Sequence, residues 1–455
     1  MERLTPHDLM MIWPESRGWS QDIAALVILD GHVLLDADQH LRIETVRDTV
    51  ERRLSLVPRF RQLLYRPPFG LGWPLWVDAP AIDLTEHVRV RALDPPGDEA
   101  TLLLACEGLR ARRLSRSRPL WEMTFLPGLP DGRVALFVKM HHAIADGMAG
   151  VAALGAFLDT APAPPPQPVP PWSPAATPSP RDLFVDNVRG RLAASARTCL
   201  ALAHPRACLR RLRQGWPALR EAFFEGRAPA TTLNRPVGWH RRFALIRGDL
   251  AQAKHVAHGH DAKVNDVLLT VLAGGLRAVL AGRGERVDGV VLRAAVPVSL
   301  HDEHAGAHGN RDGMMAAPLP VGEPDDLRRL EHIAAETAAR KQKRYVAGGT
   351  LFRNGLIQRA FLRGMARQRF MNTYAANVPG PAVPVFFAGA AVEAMFPFVP
   401  IQGNISIGVG AMSYAGQFNI TVVADRDLVP DLDRFVDGAR RSFDTLAGAV
   451  VTGAA

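Results

Sequence analysis

The sequence predicts a mixed α/β protein built from two comparable halves, and three observations carry that prediction. The chain has 455 residues; that exceeds what one hydrophobic core ordinarily organises, so two units of roughly 150 to 220 residues are expected. Short apolar runs suited to buried strands alternate with stretches of helical spacing in both the first and the last third of the chain. Between them, residues 162–180 (PAPPPQPVPPWSPAATPSP) are too proline-rich for helix or interior strand and read as an extended surface linker. No short repeat period is present, which favours a pseudo-duplicated architecture over a solenoid.

In the first unit, residues 23–36 (IAALVILDGHVLLD) and 132–142 (GRVALFVKMHH) read as buried strands, and 41–57 (LRIETVRDTVERRLSLV) carries apolar residues at helical spacing. Beyond the linker, 182–226 is mainly helical, with Arg189, Arg191, Arg197, Arg206, Arg210, Arg211 and Arg213 interleaved among leucines and alanines. Such a segment suits an anionic membrane face, and equally a helical bridge with a solvated basic side. A second α/β unit opens near 232. Residues 264–282 place Leu268, Val271, Leu272, Leu276 and Val279 on one helical face, with Asn265 or Asp266 able to cap the start. Residues 289–300 form a buried strand, and 324–344 open with proline and acids and close with bases, as a helix does. Residues 404–425 alternate across Ala415 and Gly416 like a hairpin. The expected partition is 1–160, a linker at 161–181, a basic helical segment at 182–230 and a second unit at 231–455.

Composition narrows the function classes. Hydrophobic content of 47% with 22% charged residues excludes wholesale disorder. Cys106, Cys199 and Cys208 are odd in number and lack CxxC spacing, which argues against a disulfide framework or a cysteine metal site and fits a reducing compartment. The first residues lack the basic start and apolar run of a signal peptide, and no window of ~18 uninterrupted apolar residues follows; a soluble or peripheral protein is expected. A net charge of +9 suits a phosphate-bearing partner. With no zinc-finger spacing, no RNP-like aromatic cluster and four tyrosines, nucleic acid is not the expected partner.

Residues 135–150 (ALFVKMHHAIADGMAG) set an apolar run against two adjacent histidines, with an aspartate and a glycine four and five residues after the second. Strand alternation sends Leu136, Val138, Met140 and His142 to one face and Ala135, Phe137, Lys139 and His141 to the other, so the two histidines point opposite ways. Asp146 is placed to cap the following helix, and Gly147 permits close approach. On spacing alone a strand–turn–helix joint and a catalytic site are both consistent. Adjacent histidines on a strand cannot readily converge on one ion, and neither HExxH nor a GxSxG elbow is present. What remains is one histidine acting as general base, deprotonating a hydroxyl that attacks an already activated acyl group.

HHAIADG matches the HHxxxDG motif of the CoA-dependent acyltransferase superfamily, and its surroundings resemble the bacterial wax ester synthase/diacylglycerol acyltransferase family. Further blocks occur in the same order: SRPLWE (117–122), GLPDGRVAL (128–136), LNRPVGWHRRFA (233–244), VNDVLL (264–269), PVSL (297–300) with GNRDGMMAAPLP (309–320), NVPGP (377–381) and SYAGQFNITVVAD (413–425). The resemblance implies two chloramphenicol-acetyltransferase-like domains with a substrate tunnel between them, entered by acyl-CoA from one side and the acceptor alcohol from the other. It implies His142 as general base with direct attack on the thioester and His141 in support; Asp146 is read as holding the loop, against an arginine such as Arg293, rather than touching substrate. Asn265, beside Asp266, is then the expected oxyanion donor, and Pro119, Leu120 and Trp121 the expected channel lining. No bound cofactor or metal is implied; acyl-CoA is a co-substrate, and diacylglycerol or a long-chain alcohol is the acceptor. The expected location is cytoplasmic, in peripheral contact with the inner face of an anionic membrane or a lipid droplet.

Some positions depart from the family pattern. Residues 20–31 (SQDIAALVILDG, with Gln21 and Asp22) replace an MHVG-like start, TEHV (85–88) stands where DYHV-like residues are common, and Arg235 replaces a usual glycine. They bear on acceptor preference. Two alternatives share the fold: transfer from a carrier-protein acyl donor, as in condensation-type relatives, and a lipid-surface binding protein with weak catalysis.

Overall fold

Backbone pairing in the computed structural model, which describes residues 2–145, 147–164, 172–203, 213, 227–299, 312–341, 360 and 362–452, bears out the mixed α/β class. The first half runs β1 (Glu2–Arg3), α1 (Pro6–Ile12), β2 (Asp22–Leu29), α2 (Ile43–Arg53), β3 (Gln62–Tyr65), β4 (Leu75–Asp78), α3 (Leu84–His87), β5 (Val88–Val90), α4 (Glu99–Ala111), β6 (Trp121–Pro127), β7 (Val134–His141) and α5 (Gly147–Gly155). After α6 (Pro180–Ala203), the second half runs β8 (Arg241–Asp249), α7 (Leu250–Gly259), α8 (Val264–Gly282), β9 (Leu292–Ser299), β10 (Asp312–Leu319), α9 (Asp326–Lys341), β11 (Thr373–Pro379), β12 (Phe386–Phe387), β13 (Ala390–Phe398), β14 (Ile407–Tyr414), β15 (Gln417–Asp425) and α10 (Leu432–Thr452). The linker residues within the described set, 161–164 and 172–179, are neither helix nor strand.

Two six-stranded sheets result, ordered β12-β13-β2-β7-β6-β5 and β10-β9-β11-β14-β15-β8, with β1-β4-β3 beside them. The first sheet is not made by the first half alone. β13 pairs antiparallel with β2, Phe396 opposite Leu26 and Phe398 opposite Ala24, so a hairpin from the second half supplies one edge. Assigning all of 231–455 to one unit misses this exchange, because β13 looks like any other apolar strand and nothing in its spacing names its partner. With β13 on one side and β7 on the other, β2 is interior, which accounts for its apolar residues on both faces.

In the second half α8 lies in the core, its predicted face (Leu268, Val271, Leu272, Leu276, Val279) no more than 2% exposed. It crosses α10 at glycines: a Cβ on Gly438 would stand 2.5 Å from Ala278 Cβ, and one on Gly274 would stand 2.7 Å from Ser442 Cβ. α8 is long and apolar enough to cross a membrane, yet most of it is buried within the fold. The β14–β15 hairpin turns at Ala415 and Gly416, both with positive φ (43° and 87°), matching the predicted tight turn.

Candidate active site

β7 is flanked by β2 and β6, which fixes where the histidine pair emerges. His141 ends the strand, its N–H donating to the Leu120 carbonyl at 2.9 Å. Its Nδ1 accepts the Ala143 N–H at 3.0 Å, so the ring proton sits on Nε2, facing Glu15 Oε1 at 2.8 Å. The Ile144 N–H returns to the His141 carbonyl at 2.8 Å and closes the turn. His142 is held by its own N–H, which donates to the Gln21 carbonyl at 3.0 Å. Its side chain, on the opposite face from His141 as alternation requires, lines a cavity of about 460 Å³.

This cavity opens between the two sheets. Ile23, Val138 and Met140 line it from the first sheet, Val151 and Leu154 from α5, and Tyr374, Asn377 and Met412 from the second sheet. The wall is mainly apolar. Besides His142, Asn377 and Tyr374, the polar lining includes Gln21 and Gln402, whose side chains join by a 3.0 Å Nε2–H···Oε1 bond. A cavity of this kind suits an apolar ligand, with a few polar atoms at one place to orient it.

Several expected site residues lie elsewhere. Neither Asn265 nor Asp266 lines the cavity. Asn265 sits in the first turn of α8. Asp266 is buried, its Oδ2 accepting the Lys263 N–H (2.9 Å) and its Oδ1 the Thr337 hydroxyl (2.7 Å), so it caps α8 and ties it to α9. Pro119, Leu120 and Trp121 are not channel lining either. Trp121 is fully buried, stacked between Phe60 (5.0 Å) and His87 (4.3 Å), its Nε1–H donating to the Phe60 carbonyl at 2.9 Å. The segment instead braces β7, through Leu120 O on His141 and Trp121 opposite Met140. Gly147 opens α5. Asp146, and with it the expected pairing to Arg293, lies outside the described residues.

Behind the histidine turn is a buried polar layer that the sequence pattern did not single out. Glu15 pairs with both His141 and Arg116. Burial opposes ionisation of Glu15, but the His141 hydrogen bond and the Arg116 guanidinium outweigh it and hold the carboxyl below the usual glutamate range. Lys139 is 2% exposed; its Nζ donates to the carbonyls of Leu109 (3.0 Å) and Arg112 (2.6 Å) and stands 3.7 Å from Glu122. Burial pulls its amine below the usual lysine range, against Asp22 and Glu122. Glu15, Asp22 and His141 bring ligand-type atoms within 4.8 Å of one another, but both His141 nitrogens are already engaged in hydrogen bonds. Cys106 is buried without a disulfide partner, and burial pushes its thiol up; the side chains of Cys199 and Cys208 lie outside the described residues.

Residues 4–268 match the family model of the wax ester synthase/diacylglycerol acyltransferase catalytic domain, and residues 308–447 match that of the corresponding C-terminal domain. A probable diacylglycerol O-acyltransferase, tgs1 of Mycobacterium tuberculosis H37Rv, is 31% identical over 96% of this chain and 94% of its own. Among solved structures, the wax ester synthase/diacylglycerol acyltransferase of Marinobacter aquaeolei VT8 superposes with a TM-score of 0.70 at 23% identity, covering 98% of this chain and 99% of its own. The starter condensation domain of rhizomide synthetase, solved with C8-CoA and Leu-SNAC, reaches 0.61 at 14% identity over 99% and 94% of the two chains. At these identities both likenesses speak for the fold alone.

Proposed function

We propose, from the premise that the chain belongs to the wax ester synthase/diacylglycerol acyltransferase family, that this acyltransferase moves a long-chain acyl group from acyl-CoA to the hydroxyl of diacylglycerol or a long-chain alcohol. The observation that carries the reading is His142 in the wall of an apolar cavity between the two sheets. His142 takes the proton from the acceptor hydroxyl as that oxygen attacks the thioester carbonyl. The tetrahedral oxyanion collapses, the C–S bond breaks, and the CoA thiolate leaves with the proton that His142 returns. Products are the ester and free CoA, with no covalent acyl-enzyme. Of the amides, those that line the cavity, Asn377 first, are better placed than Asn265 to donate to the oxyanion.

Contact with an anionic membrane or lipid droplet, on the cytoplasmic side, is the second part of the proposal. α6 is anchored through Leu183, 1% exposed, while Phe184 (56%), Val188 and Leu192 (65%) are exposed at four-residue spacing with Arg189 and Arg191 among them. The fully exposed Phe69 sits beside it, since Asn187 Nδ2 donates to the Gly70 carbonyl at 2.8 Å. Apolar side chains among arginines suit shallow insertion at a headgroup boundary.

Purified protein given labelled palmitoyl-CoA with diacylglycerol or hexadecanol is expected to release CoA and form triacylglycerol, wax ester or both; absence of ester and CoA release across donor chain lengths would overturn the acyltransferase reading.

A further inference from the structure

A second pocket, narrow and about 20 Å³, lies on the polar side of the first sheet and is lined by Gly18, Ser20, Arg110, Arg113, Trp239 and Arg241. Three guanidinium groups converge there, two of them buried: Arg110 is 5% exposed and Arg241 is 9% exposed. Arg110 is poorly satisfied. Its Nη1 reaches Ser20 Oγ only at 3.5 Å and Asp22 only at 3.7 Å, and its Nε, shielded from solvent, has no hydrogen-bond partner among the described residues. A buried cation in that condition is expensive unless an anion completes it.

The carboxylates at hand do not balance the site. Asp22 is already taken by the Ser20 hydroxyl at 2.7 Å, and Asp425, 3.4 Å from Arg241, also accepts the Gly238 N–H at 2.7 Å. Arg113 lies over the Trp239 ring at 4.5 Å, and the indole rests on Gly18, where a Cβ would stand 2.6 Å from the ring. Burial lowers Arg241 to about 10, with the charge of Arg110 adding to the effect and Asp425 opposing it. The pocket also abuts the catalytic cavity: Ser20 lines the one and Gln21 the other, and Arg241 Nη2 donates to the carbonyl of Ile401, a cavity residue, at 3.4 Å.

We propose that Arg110, Arg113 and Arg241 form a phosphate-binding site that holds the 3′-phosphate of the acyl-CoA donor while its thioester reaches His142. The proposal rests on the acyl-CoA reading above. A pocket this narrow admits no ring, so only a small terminal group can reach into its mouth, and three guanidinium groups set against Asp22 and Asp425 favour a doubly charged terminal phosphate.

The test is calorimetric titration of the full chain with CoA, dephospho-CoA and inorganic phosphate. The wild-type protein is expected to bind CoA at least ~10-fold more tightly than dephospho-CoA, as a charge-assisted contact warrants, with inorganic phosphate competing against CoA. Arg113→Gln, at an exposed position suited to substitution without loss of the fold, is expected to cut that ratio to within about threefold, and Arg110→Met to abolish it. Equal affinity for CoA and dephospho-CoA in the wild type overturns the site and leaves the acyltransferase reading intact; binding of neither, without turnover of palmitoyl-CoA, overturns the reading on which it rests. A parallel flotation with phosphatidic acid vesicles separates the sources: if Arg113→Gln weakens vesicle binding and leaves the CoA ratio unchanged, the pocket serves a lipid headgroup and the proposal fails.

Discussion

The two faces of β7 meet different worlds. On one, Val138, Met140 and His142 line an apolar cavity of about 460 Å³; on the other, Lys139 and His141 enter a buried layer of ions and hydrogen bonds that ends at the arginine pocket. Adjacent residues thus take opposite tasks. The polar face fixes the turn, and the apolar face presents a single imidazole to whatever fills the cavity. What the difference teaches is that the motif's two histidines are not a pair acting on one atom, because the pleat separates them.

The sharpest way to break this contrast is to remove each ring in turn. His142→Ala is expected to lose ~100-fold or more in turnover with little change in melting temperature, whereas His141→Ala is expected to lower the melting temperature and reduce turnover less; equal rate losses in steady-state assays with matched thermal melts would erase the distinction. Trp121→Ala tests whether the preceding block supports the fold or the substrate. Truncating this fully buried indole is expected to cost ~3–5 kcal/mol in urea unfolding while leaving the ratio of rates with long and short acyl donors unchanged; an altered ratio with normal stability would put the indole back in the channel.

The smallest effect concerns Glu15. Its folded-state carboxyl titrates below the ordinary 4.5, so the stability it contributes is complete above about that pH and is lost as the pH falls through the lower folded value. Because the group is partly exposed, the contribution is about 1 kcal/mol or less. Glu15→Gln is expected to flatten the acid limb of stability in urea titrations between neutral pH and pH 3; an unchanged limb would assign the acid sensitivity to other carboxylates.

Much of the fold was legible in the chain. Apolar periodicity located β7, α2, α8 and the β14–β15 hairpin, since each buries side chains in a pattern its own sequence records. The opposite aim of His141 and His142 followed from strand alternation alone. What escaped was whatever depends on partners distant in sequence. Glu15 lies 126 residues from His141, and Gln402 lies 381 from Gln21, separations that leave no local signature. Asp266 and Trp121 each carried two readings: a polar residue beside a helix start and an aromatic in a motif have ordinary uses in caps and cores, and both are used that way here, Asp266 as the cap its position allowed rather than as a site residue.

The β12–β13 hairpin sets an order of events for a chain made from its N-terminus. Because β13 pairs with β2 and joins it to the edge strand β12, the sheet that carries His142 cannot close until residue 398 has left the ribosome, although His142 itself emerged some 250 residues earlier. Until then the edge of β2 is open to pairing with other chains. A chain cut short of residue 398 therefore leaves β2 without its β13 partner, and the setting of the His142 imidazole is completed only near the end of synthesis.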